Sequence, residues 1–421
     1  MLKASALYLV IIIALVIALL CSSLIVVAYF YKMEYQKKFR YDKLLNNVNS
    51  GVNILIASEN PAYAHTRSFS LFDNSADSVS LQRVFWGMYD IGISKAFDQK
   101  DTLYKTFTIA STIDSSKWAA LYSTDQDRSI AVSGKTMING DAYIPRAGIT
   151  TAFVDNKAYE GDKRLITGVK HQSEKVLPDL DKRRLEEFKS LFHVAHGSDS
   201  TLLQSDSIQQ SFLIPPRYIN FKKKVQTIKN LKLRGNIVLF SDTTLIIDST
   251  VILDNVMVFA KAITVKRGFH GKCQFFASDS IRVKPNCHFD YPSCLGVLRF
   301  NISKVANTAK IVLEGNSTIN GIVFTYDAQK NNLQPSISLG PNVKVIGQIY
   351  SQGVLEYKDD IEIDGSIFTS RLIYKSTYTL FENYLINIKI NAEALSRYYL
   401  TSELIPVASK KKKVLQWLEK N

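Results

Sequence analysis

Short apolar segments of this chain recur at an offset of about 18 residues, and that period limits the folds open to it. Val258-Phe259-Ala260 followed by Ile263-Thr264-Val265-Lys266 returns as Phe275-Phe276-Ala277 followed by Ile281-Arg282-Val283-Lys284. Val343-Lys344-Val345-Ile346-Gly347-Gln348-Ile349-Tyr350 returns as Ile361-Glu362-Ile363-Asp364-Gly365-Ser366-Ile367-Phe368, and a third copy reads Ile319-Asn320-Gly321-Ile322-Val323-Phe324. Alternating β-branched positions at such a period are what stacked solenoid rungs require, with each glycine at a bend or a close backbone approach. The alternative is a β-sandwich in which the copies are accidental. The expected fold is mainly β: an N-terminal transmembrane helix followed by a parallel β-helix-like solenoid. Ile263, Val265, Ile281 and Val283 are expected to point inward, and Lys266 and Lys284 outward at a corner. The longer gap between Gly321 and Gly347 predicts a loop at Asp327-Ala328-Gln329-Lys330-Asn331-Asn332.

No charged residue occurs from Ala4 to Tyr31. That exceeds the roughly 20 apolar residues needed to cross a bilayer and is too long for a signal-peptide core. Tyr29, Phe30 and Tyr31 suit the membrane interface. The segment reads as a retained single-pass anchor, with Cys21 simply apolar within it. Lys3 precedes the helix, whereas Lys32, Lys37, Lys38, Arg40 and Lys43 follow it, so the charge count places the remainder in the cytoplasm. A body rich in Ser, Thr, Asn and Tyr argues for the periplasmic side, and long domains translocate largely regardless of charge. The body is expected there.

The remaining boundaries follow from pattern changes. Residues 1–31 are the anchor and 32–58 a juxtamembrane amphipathic helix, striped by Phe39, Leu44, Leu45, Val48, Val52, Leu55 and Ile56 and ended by Asn60-Pro61. Residues 59–177 form an N-terminal β region in which Ile138-Asn139-Gly140-Asp141-Ala142-Tyr143 echoes the Gly321 copy. Residues 178–210 are a helical insertion and linker, capped by Asp179 or Asp181, with Leu185, Phe188, Leu191 and Phe192 inward. Residues 211–390 are the β-helix and 391–421 a basic tail, read as a helical cap over the last rung.

The net charge of +14 is spread over short runs after the anchor, at Lys222-Lys223-Lys224 and at Lys410-Lys411-Lys412-Lys413. No nucleic-acid-binding signature accompanies them, so anionic lipid or polysaccharide is the expected contact and nucleic acid is not. His193 and His196 share a helix face but lack the glutamate of a metalloprotease motif. Cys273, Cys287 and Cys294, with His270 and His288, offer soft ligands at no recognised spacing; a Cys287–Cys294 disulfide and free buried thiols are the other readings. Asp279, Asp290, Asp359, Asp360 and Asp364 are available acids, but none recurs as a pair at the repeat offset, and Asp359-Asp360 suits a turn. No catalytic, cofactor or metal residue is assigned, and no enzyme is expected.

An apolar helix running straight into an amphipathic one and then a β body resembles minor pilins and pseudopilins. It departs from them in having no Gly before Phe or Met at a processing site and no Glu five residues into the helix; the first acid is Glu34. The Ile-x-Gly-x-Ile-Tyr/Phe copies are similar to bactofilin-like, polymer-forming β-helices over about 50 residues. These resemblances imply a membrane-anchored structural or interaction protein of a bacterial envelope or pilus-like assembly, with protein partners or self-association. A membrane-tethered carbohydrate-active β-helix enzyme is the alternative.

Overall fold

The chain is mainly β behind one long apolar helix in the computed structural model, which describes residues 4–71, 77–98, 101–193, 206–221, 225–300, 308–329 and 334–420. It divides into two compact units. The first comprises Met1–Val84, Ile91–Phe107 and Trp417–Asn421; the second comprises Phe85–Asp90 and Thr108–Gln416.

In the first unit Ala4–Ala57 is a single unbroken helix, α1, of 54 residues and so about 80 Å long. Its large apolar side chains from Leu7 to Tyr31 are exposed, whereas Leu44, Val48, Val52 and Leu55 are buried at spacings of three and four. The buried stripe starts at Leu44; Phe39, expected within it, is exposed. At Gly51 the helix approaches the strands closely, because a Cβ there would strike Ser94 Oγ and lie 2.6 Å from Leu81 Cδ2 and 3.2 Å from Val79 Cγ1. The buried Ser94 hydroxyl donates to the Val48 carbonyl at 3.0 Å and fastens the helix further. The strands order as Arg67–Phe69, Asp77–Trp86, Tyr89–Asp98, Asp101–Ile113 and Ala408–Lys420, of which the first unit holds the parts up to Val84, from Ile91 to Phe107 and from Trp417 on. The last strand corrects the expected helical cap. Trp417 packs on Phe107 at 5.5 Å between ring centres and receives the Lys105 ammonium at 5.2 Å, so this apolar run is used as a sheet strand.

In the second unit hydrogen bonding joins most strands into one closed set, nearly all in parallel pairs. The strand Lys232–Ile247 shows how. Register shifts after Arg234 and after Ser241 break it into three legs, which pair separately with Ser207–Gln210, Arg217–Asn220 and Gln226–Ile228. On its other side it pairs with Ile252–Val265, which pairs with His270–Val283. Val265 and Val283 are partners, as are Ile263 and Ile281, and all four are buried. Lys266 and Lys284 face outward and bind Asp248 and Glu314, each at 2.8 Å.

Each apolar position therefore lies beside its equivalent. Leu239, Val258, Phe275, Leu295, Val323, Ile349 and Ile367 follow one another in register and are all buried. The row then continues into Leu121 and Ala142. Residues 121–139 thus pair with 361–391, and 142–151 pair in turn with 121–132; neither set pairs with 207–228. The echo of Gly321 at Gly140 belongs to the same pattern, since Ile138 pairs with Ile390. Gly321, Gly347 and Gly365 stack with φ of 148°, 142° and 151°, and a Cβ on either of the last two would strike the carbonyl of the glycine before it. The expected loop after Asp327 lies partly outside the described residues, as does Lys222-Lys223-Lys224.

Two substitutions separate the units. Val283→Asp places an unpaired carboxylate inside the apolar rows and is expected to cost about 3 kcal/mol or more by chemical denaturation. Gly51→Leu forces α1 off Val79 and Leu81 and is expected to cost about 1–3 kcal/mol, read by proteolysis of the first unit. Unchanged stability in either chain would contradict the corresponding packing.

Candidate functional site

Beside the inner rows runs an outer row of aromatic side chains. Phe240, Phe259, Phe276, Gly296, Phe324, Tyr350, Phe368, Tyr122, Tyr143 and His171 succeed one another in strict register. Phe240 and Phe259 stack at 5.2 Å, Phe368 and Tyr122 at 5.3 Å, and Tyr143 and His171 at 4.7 Å. Gly296 leaves the space that the Phe324 and Phe276 rings fill. An exposed row of this kind would be a platform for sugar rings. Here the centre is covered.

The cover is the helix Lys182–His193, α2, with the segment before it. The helix starts where expected: Asp181 Oδ1 accepts from the Arg184 amide at 2.8 Å. Phe188 packs on Phe276 at 4.7 Å, Phe192 on Phe259 at 5.2 Å, and Tyr350 Oη donates to the Pro178 carbonyl at 3.0 Å. Only the Tyr143–His171 end of the row is partly exposed.

Arg184, one turn into α2, is buried, and sequence reasoning missed it because a charge there reads as a solvated face. Its Nη1 lies 2.6 Å from Asp90 Oδ1 and its Nη2 3.3 Å from Glu403 Oε2, while its guanidinium lies over the Phe85 ring at 5.0 Å. Glu403 also binds Lys412, which is buried. Of the four consecutive lysines, Lys412 is therefore an internal ion-pair partner, and Lys410, Lys411 and Lys413 are exposed. A hairpin tip is seated nearby by Gln274, whose Oε1 accepts from the Met88 amide at 2.8 Å and whose Nε2 donates to the Trp86 carbonyl at 3.2 Å. These groups fix covering segments and present no reactive atom to solvent.

The acids singled out from the sequence are dispersed into separate contacts. Asp359 binds Lys157 at 2.8 Å, with Tyr374 Oη and Asn387 Nδ2 both at 2.9 Å. Asp364 binds Lys344 at 2.9 Å, and Asp360 occupies a left-handed turn with φ of 60°. Asp290 lies beside two histidines, 2.8 Å from His270 Nε2 and 3.2 Å from His288 Nε2. Asp279 lies in the strand His270–Val283. The cysteines do not join the histidines. Cys273, Cys287 and Cys294 are free and buried, so the Cys287–Cys294 disulfide is not formed. Burial pushes all three thiols up, which disfavours the thiolate that a metal or nucleophile requires. Cys287 Sγ instead points at the Lys266 carbonyl, 3.2 Å away. His196 lies outside the described residues, so the His193–His196 pair is not described.

A groove of about 690 Å³ opens between the last strand and residues 392–400. Trp118, Tyr291, Tyr398 and Tyr399 supply aromatic surface, and Arg397, Lys411 and Lys413 supply positive charge. Lys411 and Lys413 share this side because side chains two apart on a strand share a face. The C-terminal segment is held by Tyr291 Oη, which donates to the Leu400 carbonyl at 2.7 Å, and by Tyr399, whose ring meets that of Tyr291 at a tilt with centres 5.1 Å apart.

No protein-family model matches the sequence, and no curated protein matches it. Among solved structures, the competence-associated pilin ComZ from Thermus thermophilus is similar over 85% of this chain and 86% of its own. The identity is 9% and the TM-score 0.28, a likeness too slight to carry an argument about fold or function.

The Arg184 cluster makes stability depend on pH. Burial pushes the Glu403 carboxyl up, but the Arg184 charge and the Lys412 contact outweigh it and hold the group below its usual range. A carboxyl lowered by folding stabilises above its unfolded pKa, about 4.3, and loses that contribution as pH falls through the lower folded value. Glu187 opposes it, since burial raises its carboxyl above the usual range. Glu403→Gln is expected to cost about 3 kcal/mol at pH 7 and to flatten the decline of stability below about pH 4. Parallel acid limbs in the two chains, followed by urea denaturation, would contradict this role.

Proposed function

We propose that this protein is a membrane-anchored structural or interaction protein of a bacterial envelope or pilus-like assembly, and that its larger unit is a three-sided parallel β-helix. The observation that carries the first part is α1. One continuous helix is bare and apolar over its first half and, from Leu44 to Leu55, forms part of the packed core of the first unit. Its first half is long and apolar enough to cross a membrane. No flexible linker intervenes, so a membrane span or a bundle of such helices would be coupled mechanically to folded protein. The β-helix reading is supported by the three-legged strands, their parallel partners about 18 residues on, and the unbroken apolar rows.

The body is placed outside the cytoplasm, where its partner is an anionic polysaccharide bound along the Trp118–Tyr398 groove. Aromatic faces suit sugar rings, and Arg397, Lys411 and Lys413 suit their carboxylates or sulfates. The protein acts by binding and assembly and catalyses nothing; of the acids considered, Asp290, Asp359 and Asp364 are held in ion pairs with histidines and lysines.

A phosphatase active only after export, fused after Asn421, is expected to be active; activity of a cytoplasm-only reporter in its place would reverse the orientation. Leu15→Arg with Ile17→Arg is expected to release the chain from the membrane fraction, since charges at the centre of a span oppose insertion by about 2.5–3.5 kcal/mol each. Lys411→Glu with Lys413→Glu is expected to weaken binding to an acidic polysaccharide roughly tenfold at low salt, an effect screened as salt rises. Turnover of that polysaccharide, abolished by changing Asp279, Asp290 or Asp360, would establish the enzyme instead.

A further inference from the structure

We propose that His270, His288 and Asp290 form a surface site for a divalent transition-metal ion of the zinc class, with solvent completing the coordination. The parallel register places the two histidines side by side at the starts of adjacent strands, His270–Val283 and His288–Arg299. Their rings meet edge to face with centres 5.0 Å apart. Asp290 follows His288 by two residues and shares its face. Both Nε2 atoms are directed at the Asp290 carboxylate, at 2.8 and 3.2 Å, and one ligand atom from each residue falls within 4.8 Å of the others.

Two imidazole nitrogens and one carboxylate oxygen are a zinc-type ligand set. In a tetrahedral site, ligand atoms lie about 3.3 Å apart, so small side-chain rotations bring these three onto one ion. The Ser293 hydroxyl donates to the Asp290 carbonyl at 2.5 Å and steadies the backbone that carries the carboxylate. A purely structural role is a weak explanation. The three side chains are 64%, 46% and 47% exposed, and exposed ion pairs add little to stability. Further along the same row the strands place Lys344 beside Glu362, 3.3 Å apart, an ordinary ladder of opposite charges. Only over the first two of these strands do two histidines replace it and converge on one acid. The buried cysteines take no part.

The test uses the tag-free full chain in detergent, titrated with Co²⁺ and then Zn²⁺. One equivalent of Co²⁺ is expected to give tetrahedral absorption in the visible range, displaced by Zn²⁺. His270→Ala, His288→Ala and Asp290→Asn are each expected to weaken binding about tenfold or more. Cys287→Ala is expected to leave it unchanged. In the unsubstituted chain Zn²⁺ is expected to protect His270 and His288 from diethylpyrocarbonate, a readout that needs no variant to fold. Absence of stoichiometric binding, binding retained in the His270→Ala/His288→Ala chain, loss in Cys287→Ala, or unprotected histidines would each overturn the site.

Discussion

In-register parallel pairing of residues about 18 apart in sequence governs the larger unit. Once one strand lies beside the next with its partners fixed, the side chains are sorted into rows, and every inward row must stay apolar. Inward rows are aliphatic or aromatic, and each fully buried Val, Leu or Ile contributes about 1.5–3 kcal/mol. Corners form a row too. Gly268, Asn286, Asn316, Asn342, Asp360 and Asn387 all have left-handed φ, and each of the first five donates its backbone amide to a carbonyl beside the next corner. Asn and Asp tolerate that conformation better than other side chains. Asn342 Nδ2 also donates to Asn316 Oδ1 at 3.1 Å, so the corner residues bond to one another as well.

What the sequence made legible were rows whose members are separated by the period. Val265 beside Val283 and Gly347 beside Gly365 could be read because one strand directly follows another. The corner row was equally open to reading: Pro285-Asn286, Pro341-Asn342 and Asp359-Asp360 all precede alternating apolar strands. Tyr122, Tyr143 and His171 could not be assigned to the aromatic row by any period. Leu121 pairs with Ile367, and a contact that distant in sequence leaves no spacing to detect. Arg184 was hidden for a related reason. Its partners Asp90 and Glu403 come from segments with no sequence relation to α2, and charge alone does not announce burial. The four lysines misled by composition, since strand alternation sends Lys412 inward and its neighbours outward. Of the cysteines and histidines weighed as metal ligands, the two histidines come together and the cysteines do not; the acid that joins them, Asp290, stood in a different argument.

The return of the chain to its own beginning explains α2. Residues 121–139 lie against 361–391, while 207–228 lie against the strand Lys232–Ile247 at the other limit of the pairing. The segment between them has to traverse the outer surface. Its described part from Pro178 to Phe192 runs along the aromatic row, so this stretch doubles as the cover for rings that would otherwise face water. Burying Arg184 beneath that connection is costly unless every charge is paired. Asp90 and Glu403, drawn from two other covering segments, supply the pairing and make the position of each cover depend on the others.

Stacked parallel strands carry a risk of their own, because unpaired edges invite addition of further copies. Here the chain closes the edge beyond Ile361–Lys375 with Ile388–Asn391 on one stretch and with Leu121–Ser123, from its own amino-terminal part, on another. The strands at the two limits of the pairing are short: Lys170–Gln172 and Gln226–Ile228 have three residues each, Ser207–Gln210 and Arg217–Asn220 four. Brief, partly polar edges are poor templates for strand addition. With those edges short, the apolar surface left uncovered among the described residues is mainly the first half of α1, from Leu7 to Tyr31.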